Sequence, residues 1–290
     1  MAVYPEVRVR EFKGSGGLPL AADVCGEPMA PPVVLLHGGG QTRHSWGTAM
    51  RELAAQGYYV INLDARGHGD SGWAPDGDYS FAAMVQDLAC VIGMLASPPA
   101  LVGASMGGAT ALTLVGTSPM SAATALVLVD IVPTVNPEGA KKIQAFMSGN
   151  VHGFATLEEA ADAVSAYNPH RPRPKDVSGL MKNLRRREDG RLYWHWDPAL
   201  LKQRDRTEPP VIREHMLRAA TGIRLPILLV RGGRSDIVTE VGAEELKQHI
   251  PQLEVCNVQS AGHMVAGDKN DAFNRAVFEF LHRHHAVPEM

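Results

Sequence analysis

A serine framed by small residues, Gly103-Ala104-Ser105-Met106-Gly107, is the part of this chain best suited to covalent chemistry. It follows the apolar run Ala100-Leu101-Val102, which reads as a buried strand. It leads into Gly107-Gly108-Ala109-Thr110-Ala111-Leu112-Thr113-Leu114, which reads as a helix. A serine at so tight a strand-to-helix turn is forced into a strained backbone conformation. Its neighbours two positions away must then be tiny, or side chains collide. The hydroxyl stands at the positive end of a helix, where the amide of Met106 can face a developing oxyanion. The pentapeptide alone also suits an inert turn where a helix packs closely on a sheet. The rest of the chain separates the two readings.

Upstream, Pro32-Val33-Val34-Leu35-Leu36 is a second buried-strand run, ending in His37-Gly38-Gly39-Gly40. A glycine loop of this type supplies the second oxyanion donor to such an elbow. Gly39 is the expected donor and Gly40 the alternative, because backbone must approach the substrate oxygen with no side chain in the way. A serine hydroxyl needs a base, and the base an orienting carboxylate, in the chain order Ser, Asp or Glu, His. The strand run Pro226-Ile227-Leu228-Leu229-Val230 is followed by Arg231-Gly232-Gly233-Arg234-Ser235-Asp236. The strand Leu253-Glu254-Val255-Cys256-Asn257-Val258 is followed by Ser260-Ala261-Gly262-His263-Met264. Asp236 and His263 therefore stand just past the carboxyl ends of strands, the ligand edge of an open α/β sheet. Asp130 ends a further strand run, Leu126-Val127-Leu128-Val129, and competes for the acid's place; otherwise it is a carboxylate capping a turn.

These segments, with Asp64-Ala65-Arg66-Gly67-His68-Gly69-Asp70-Ser71-Gly72, resemble the motifs of serine hydrolases of the α/β-hydrolase fold. They come in the family's order and span most of the chain. The resemblance implies a mostly parallel central sheet flanked by helices, with a helical cap inserted after the sixth strand. It implies a triad of Ser105, His263 and Asp236, and Asp236 is preferred to Asp130 because it sits in the fuller match. The implied activity is hydrolysis of a small or medium carboxylic ester through an acyl-enzyme, with no cofactor. The same triad in relatives serves carbon–carbon hydrolysis of diketones and cofactor-free perhydrolysis, and a few relatives are ligand receptors. Ser105 speaks against the dehalogenases and epoxide hydrolases of this fold, whose elbow nucleophile is an aspartate.

Composition narrows the class. The chain has 290 residues, 45% hydrophobic and 20% charged, with a formal net charge of -3. That is an ordinary globular balance with no basic field to attract nucleic acid. Cys25, Cys90 and Cys256 are scattered and odd in number, as expected of small buried residues in a reducing compartment. No basic region followed by an apolar run opens the chain, and no stretch approaches the roughly 20 apolar residues of a membrane span. The expectation is a cytoplasmic protein with no membrane partner. No histidine pair has the HExxH spacing of a metal hydrolase.

The elements that must position the site alternate along the chain. Val7 to Phe12 and Leu18 to Val24 read as a hairpin around Gly14-Ser15-Gly16-Gly17. Strand and helix then alternate from Val33 onward, as in a parallel sheet. Expected helices cover 46–56, 81–96, 106–117, 243–249 and 272–284. The alternation breaks between residues 132 and 223, where helix-like stretches cover 137–148, 156–167, 175–187 and 211–220. We expect residues 1–131 and 224–290 to form the hydrolase core and 132–223 the cap, whose physical use is to exclude water. Trp194, Trp196, Phe146 and Met147 are its candidate pocket residues. Arg185-Arg186-Arg187 is expected to be a solvated helix face.

Overall fold

A computed structural model of the chain describes residues 4–118, 122–169, 172–204, 209–259, 261–263 and 270–287. The apolar runs become strands: β1 (Val7–Lys13), β2 (Pro19–Cys25), β3 (Pro32–Leu36), β4 (Tyr59–Leu63), β5 (Ala100–Ala104) and β6 (Ala125–Val129). After a long insertion carrying the short pair β7 (Leu184–Arg186) and β8 (Leu192–Trp194) come β9 (Ile227–Gly232) and β10 (Leu253–Val258). Eight of them form one sheet in the order β1-β2-β4-β3-β5-β6-β9-β10. The β1–β2 hairpin and the β2–β4 pair are antiparallel, and every pair from β4 to β10 is parallel. This is the α/β-hydrolase architecture.

Continuous Val, Ile and Leu runs suit strands buried on both faces, and alternate residues feed two separate cores. Val33, Leu35, Val60, Val102, Val127 and Val230 pack toward α1 (Gly47–Ala55) and the carboxyl-terminal helix. Val34, Leu36, Ile61, Leu101, Leu128 and Leu229 pack toward α2 (Phe81–Ile92) and α3 (Met106–Thr117). The register sets the strand ends level. Leu36 lies opposite both Leu63 and Gly103, and Val129 lies opposite both Ala104 and Val230. His37, Ser105 and Asp130, which follow β3, β5 and β6, therefore emerge at one edge of the sheet.

The insertion opens with α4 (Pro137–Ser148) and α5 (Leu157–Tyr167). Asn136 caps the first and Thr156 the second, each side chain accepting from a first-turn amide. The stretch 175–187 is not the expected helix. It forms a 3₁₀ turn over Ser178–Asn183 and then β7. The reason lies just downstream: Asp189-Gly190 reverses the chain, with Gly190 at φ 78°, and β7 pairs with β8. That pairing buries Leu184 and Leu192 with Phe154. Arg185 to Arg187 accordingly leave no helix face; Arg187 lies over the Tyr193 ring at 4.0 Å. After α6 (Ala199–Arg204) comes α7 (Pro209–Ala220), which packs on α3 under the sheet rather than over its edge. Gly116 lets these helices touch, since a Cβ there would lie 2.1 Å from the carbonyl of Ala219. The part of the insertion that covers the sheet edge therefore runs from α4 to α6. The core closes with α8 (Glu240–His249) and α9 (Asn270–His284).

Candidate active site

Ser105 occupies the sharp turn between β5 and α3 with φ 46° and ψ −112°. Its small neighbours are required by contact. A Cβ on Gly103 would lie 2.5 Å from the amide nitrogen of Gly108, and one on Gly107 would lie 2.6 Å from the Leu36 carbonyl. Among the described residues, only Ser105, Asp130 and Asn150 are non-glycines with positive φ. Backbone strain of this kind costs about 1–3 kcal/mol and persists where surrounding structure enforces it. Two of the three such residues stand at this edge of the sheet.

His263 follows β10 and lines the same cavity as Ser105. Its Nδ1 lies 2.7 Å from Oδ2 of Asp130, a carboxylate with no exposed surface. This corrects the choice of Asp236, and the physical reason is visible in the loop after β9. The Gly232 amide donates to Asp130 Oδ1 at 2.9 Å, and the Ser235 hydroxyl donates to Asp130 Oδ2. A buried carboxylate must be satisfied by donors, and Asp130 has three counting the imidazole. The loop after β9 thus supplies donors to Asp130 instead of a carboxylate to His263. The Ser235 hydroxyl also accepts from the amides of Ile237 and Val238, which turns Asp236 outward. The Asp236 side chain is 48% exposed and pairs with Lys142 of α4 at 3.1 Å. Ser235 was not singled out from sequence; its signal is a hydroxyl two and three residues ahead of the amides it accepts from. Met264, quoted beside His263, lies outside the described residues.

The glycine loop after β3 has its amides unequally engaged. Gly38 donates to Gln41 Oε1 at 3.1 Å and Gly40 donates to His68 Nε2 at 3.1 Å. Gly40, the alternative oxyanion donor, is thereby committed elsewhere. Among the described hydrogen bonds the amides of Gly39 and Met106 have no partner. Gly39 lines the cavity with Ser105; the Met106 side chain is absent from that lining and faces Leu36, His37 and Met84 instead. His37 is fully buried, and burial, outweighing the attraction of Asp64, holds its pKa below the ordinary imidazole value. A neutral ring fits its contacts: Nδ1 donates to the Gly38 carbonyl and Nε2 accepts from the Ala65 amide at 3.0 Å.

The cavity over Ser105 has a volume of about 460 Å³, within the usual range for small-molecule sites. Phe146, Met147, Trp194 and Trp196 all line it. Phe146 stacks on Tyr167 with ring centroids 4.5 Å apart and leans on Trp194 at 5.6 Å. Tyr167 and Trp46 also reach the cavity, and neither stood out in the sequence, because each comes to the wall through folding of distant segments. Apart from the His263 imidazole, the carboxylate of Asp176 at the exposed rim is the one acidic or basic side chain among its described lining residues. The segment after β8 is tied to the core: the Gly69 amide donates to the His195 carbonyl at 2.7 Å and the Asp197 amide to Gly67 at 2.8 Å. Tyr79 donates to the Asp197 carboxylate beneath them. Among the described residues no helix is long and apolar enough to cross a membrane.

A strained serine, a carboxylate-bound histidine and a largely apolar cavity are the equipment of a hydrolase. The family model of the α/β-hydrolase fold matches residues 31–269, and the chain belongs to that family. It is 34% identical over 249 residues to the esterase Rv0045c of Mycobacterium tuberculosis, across 83% of this chain and 79% of that protein. It is 30% identical to the sn-1-specific diacylglycerol lipase ABHD11 of Mus musculus, across 91% of this chain and 85% of that protein. Among solved structures, E-2-(acetamidomethylene)succinate hydrolase matches its fold with a TM-score of 0.81 at 21% identity, over 95% of this chain and 99% of the other. The chain is an enzyme of the hydrolase class.

Proposed function

We propose that the protein hydrolyses small or medium uncharged carboxylic esters through an acyl-enzyme on Ser105. The observation that carries this is the Asp130–His263 contact beside the strained Ser105, at the floor of a cavity lined largely by apolar side chains. Ser105 Oγ attacks the ester carbonyl carbon while His263 takes its proton. Asp130 keeps the histidine in the tautomer with Nδ1 protonated and stabilises its charged form. The amides of Gly39 and Met106 bind the oxyanion. His263 then protonates the departing alkoxide, and the alcohol leaves. A water deprotonated by His263 attacks the acyl group, and Ser105 departs with that proton. The esterase and lipase names of its relatives support the ester as substrate.

The finite volume of the cavity, about 460 Å³, supports a limit on chain length. Each buried CH₂ contributes about 0.8 kcal/mol until the cavity ends. The value of kcat/KM along a p-nitrophenyl ester series should rise from acetate to butyrate or hexanoate and then fall. A fluorophosphonate should label Ser105, and Ser105→Ala should lose labelling and hydrolysis while staying folded. Full activity in Ser105→Ala refutes the mechanism. A rise continuing through dodecanoate points to an open lipase-like groove, and turnover of a diketone alone points to carbon–carbon hydrolysis.

A further inference from the structure

The oxyanion loop is held by a residue from the loop that follows β4. Gly40 has φ 75°, a conformation open to glycine, and the cap's Met147 packs so close that a Cβ on Gly40 would lie 3.3 Å from its Cε. A glycine-rich segment of this kind has peptide planes that turn easily, so something must stop them. Two contacts do. Behind Gly39 the Gly38 amide is bound by the Gln41 side chain, and ahead of it the Gly40 amide is bound by His68 Nε2. Gly39 lies between two clamped amides.

His68 is suited to this task. It is fully buried, and its Nδ1 lies 3.0 Å from the Arg66 carbonyl. A ring that accepts on Nε2 and meets a carbonyl at Nδ1 is the neutral tautomer protonated at Nδ1. The main chain of His68 also bridges to Trp196, which lines the cavity. One residue therefore touches the oxyanion loop with its side chain and the covering segment with its backbone.

We propose that His68 is a positioning residue for the reaction: by accepting the Gly40 N–H it fixes the Gly39–Gly40 peptide so that the Gly39 amide points at the oxyanion. This rests on the reading of Ser105 as nucleophile and Gly39 as donor. Misplacement of a catalytic group by about 1 Å costs roughly 100-fold in rate.

Two variants separate positioning from simple support. In His68→Asn the side-chain amide sits where Nδ1 was and keeps the Arg66 contact, but nothing reaches Gly40. In His68→Gln the carbonyl oxygen reaches the place of Nε2 and accepts from Gly40. We expect His68→Asn to lose roughly 100-fold in kcat on p-nitrophenyl butyrate with KM little changed. Its affinity for a trifluoromethyl ketone, whose tetrahedral adduct carries an oxyanion, should fall in parallel. His68→Gln should recover most of both. Equal kcat in wild type, Asn and Gln variants overturns the proposal and leaves the Ser105 mechanism standing. So does loss in Gln with retention in Asn, or losses that merely follow a fall in Tm. A wild-type protein inert to the esters and unlabelled by fluorophosphonate overturns both readings together.

Discussion

At the scale of single residues, the acid is the instructive case. Asp130 and Asp236 both follow apolar strand runs, and both strands, β6 and β9, are neighbours in the sheet. Sequence placed both candidates at the correct edge and favoured Asp236 on its fuller motif match; the contacts that decide for Asp130 join residues far apart in the chain. The weight comes from three donors converging on Asp130 and from the Ser235 hydroxyl turning Asp236 toward Lys142. Asp130→Asn should therefore lower kcat on the order of 10⁴-fold, the cost of removing the acid from such a triad. Asp236→Asn breaks an exposed ion pair worth less than about 1 kcal/mol and should leave turnover within about fivefold of wild type. Steady-state kinetics on both variants check this; the opposite ranking returns the acid to the β9 loop. The elbow was legible for the converse reason. Its demands are local: glycines at 103 and 107 and a serine between them are required by contacts within the turn and with the adjoining strand β3.

At the scale of elements, buried strands were legible and the covering segment was only partly so. β3, β6 and the body of β9 announce themselves as continuous apolar runs, because a strand buried on both faces has no polar side. The stretch 175–187 has charges at helical spacing, yet it ends in β7, since the Asp189-Gly190 reversal and the pairing Leu184↔Trp194 outweigh local propensity. The aromatic cluster has a consequence for specificity. Phe146 projects from α4 into the cavity between Tyr167 and Trp194. Phe146→Ala should open space at that wall and move the preferred ester to a longer acyl chain. Each extra methylene accommodated should add about fourfold to kcat/KM, from about 0.8 kcal/mol per CH₂. The ester series run on this variant reads the shift; an unchanged optimum means the acyl chain lies elsewhere in the cavity.

At the scale of the whole molecule, the buried His37 and His285 and the half-buried His195 tie stability to pH. Burial lowers the pKa of His37, of His195, where Arg185 adds to it, and of His285. His285 lies far from the site, stacked on Tyr58, with its Nδ1 on the Thr124 hydroxyl and its Nε2 on the Pro32 carbonyl. The folded state keeps all three neutral to a pH below the ordinary imidazole value. The unfolded chain binds protons as pH falls through about 6.5, while the folded chain does not. Stability contributed by these groups is therefore complete above about pH 6.5 and declines as pH falls from there toward their lowered folded values. Each such imidazole contributes a slope of at most about 1.4 kcal/mol per pH unit. Urea unfolding at pH 7.5, 6.5 and 5.5 should show the decline, and His285→Gln should flatten it. A stability independent of pH over this interval contradicts the assignment.

What the sequence determined by itself was everything encoded within a few residues: the strand runs, the elbow geometry around Ser105, the glycine loop at Gly39 and the place of His263 past the last strand. These follow from sterics and periodicity acting along the chain. What only the tertiary structure decided were choices between equals. It settled which carboxylate meets His263, which glycine amide is already bound by His68, which inserted helices cover the cavity and which, like α7, join the core. Those outcomes depend on contacts between segments far apart in the chain, where direction and distance decide and the local pattern is silent.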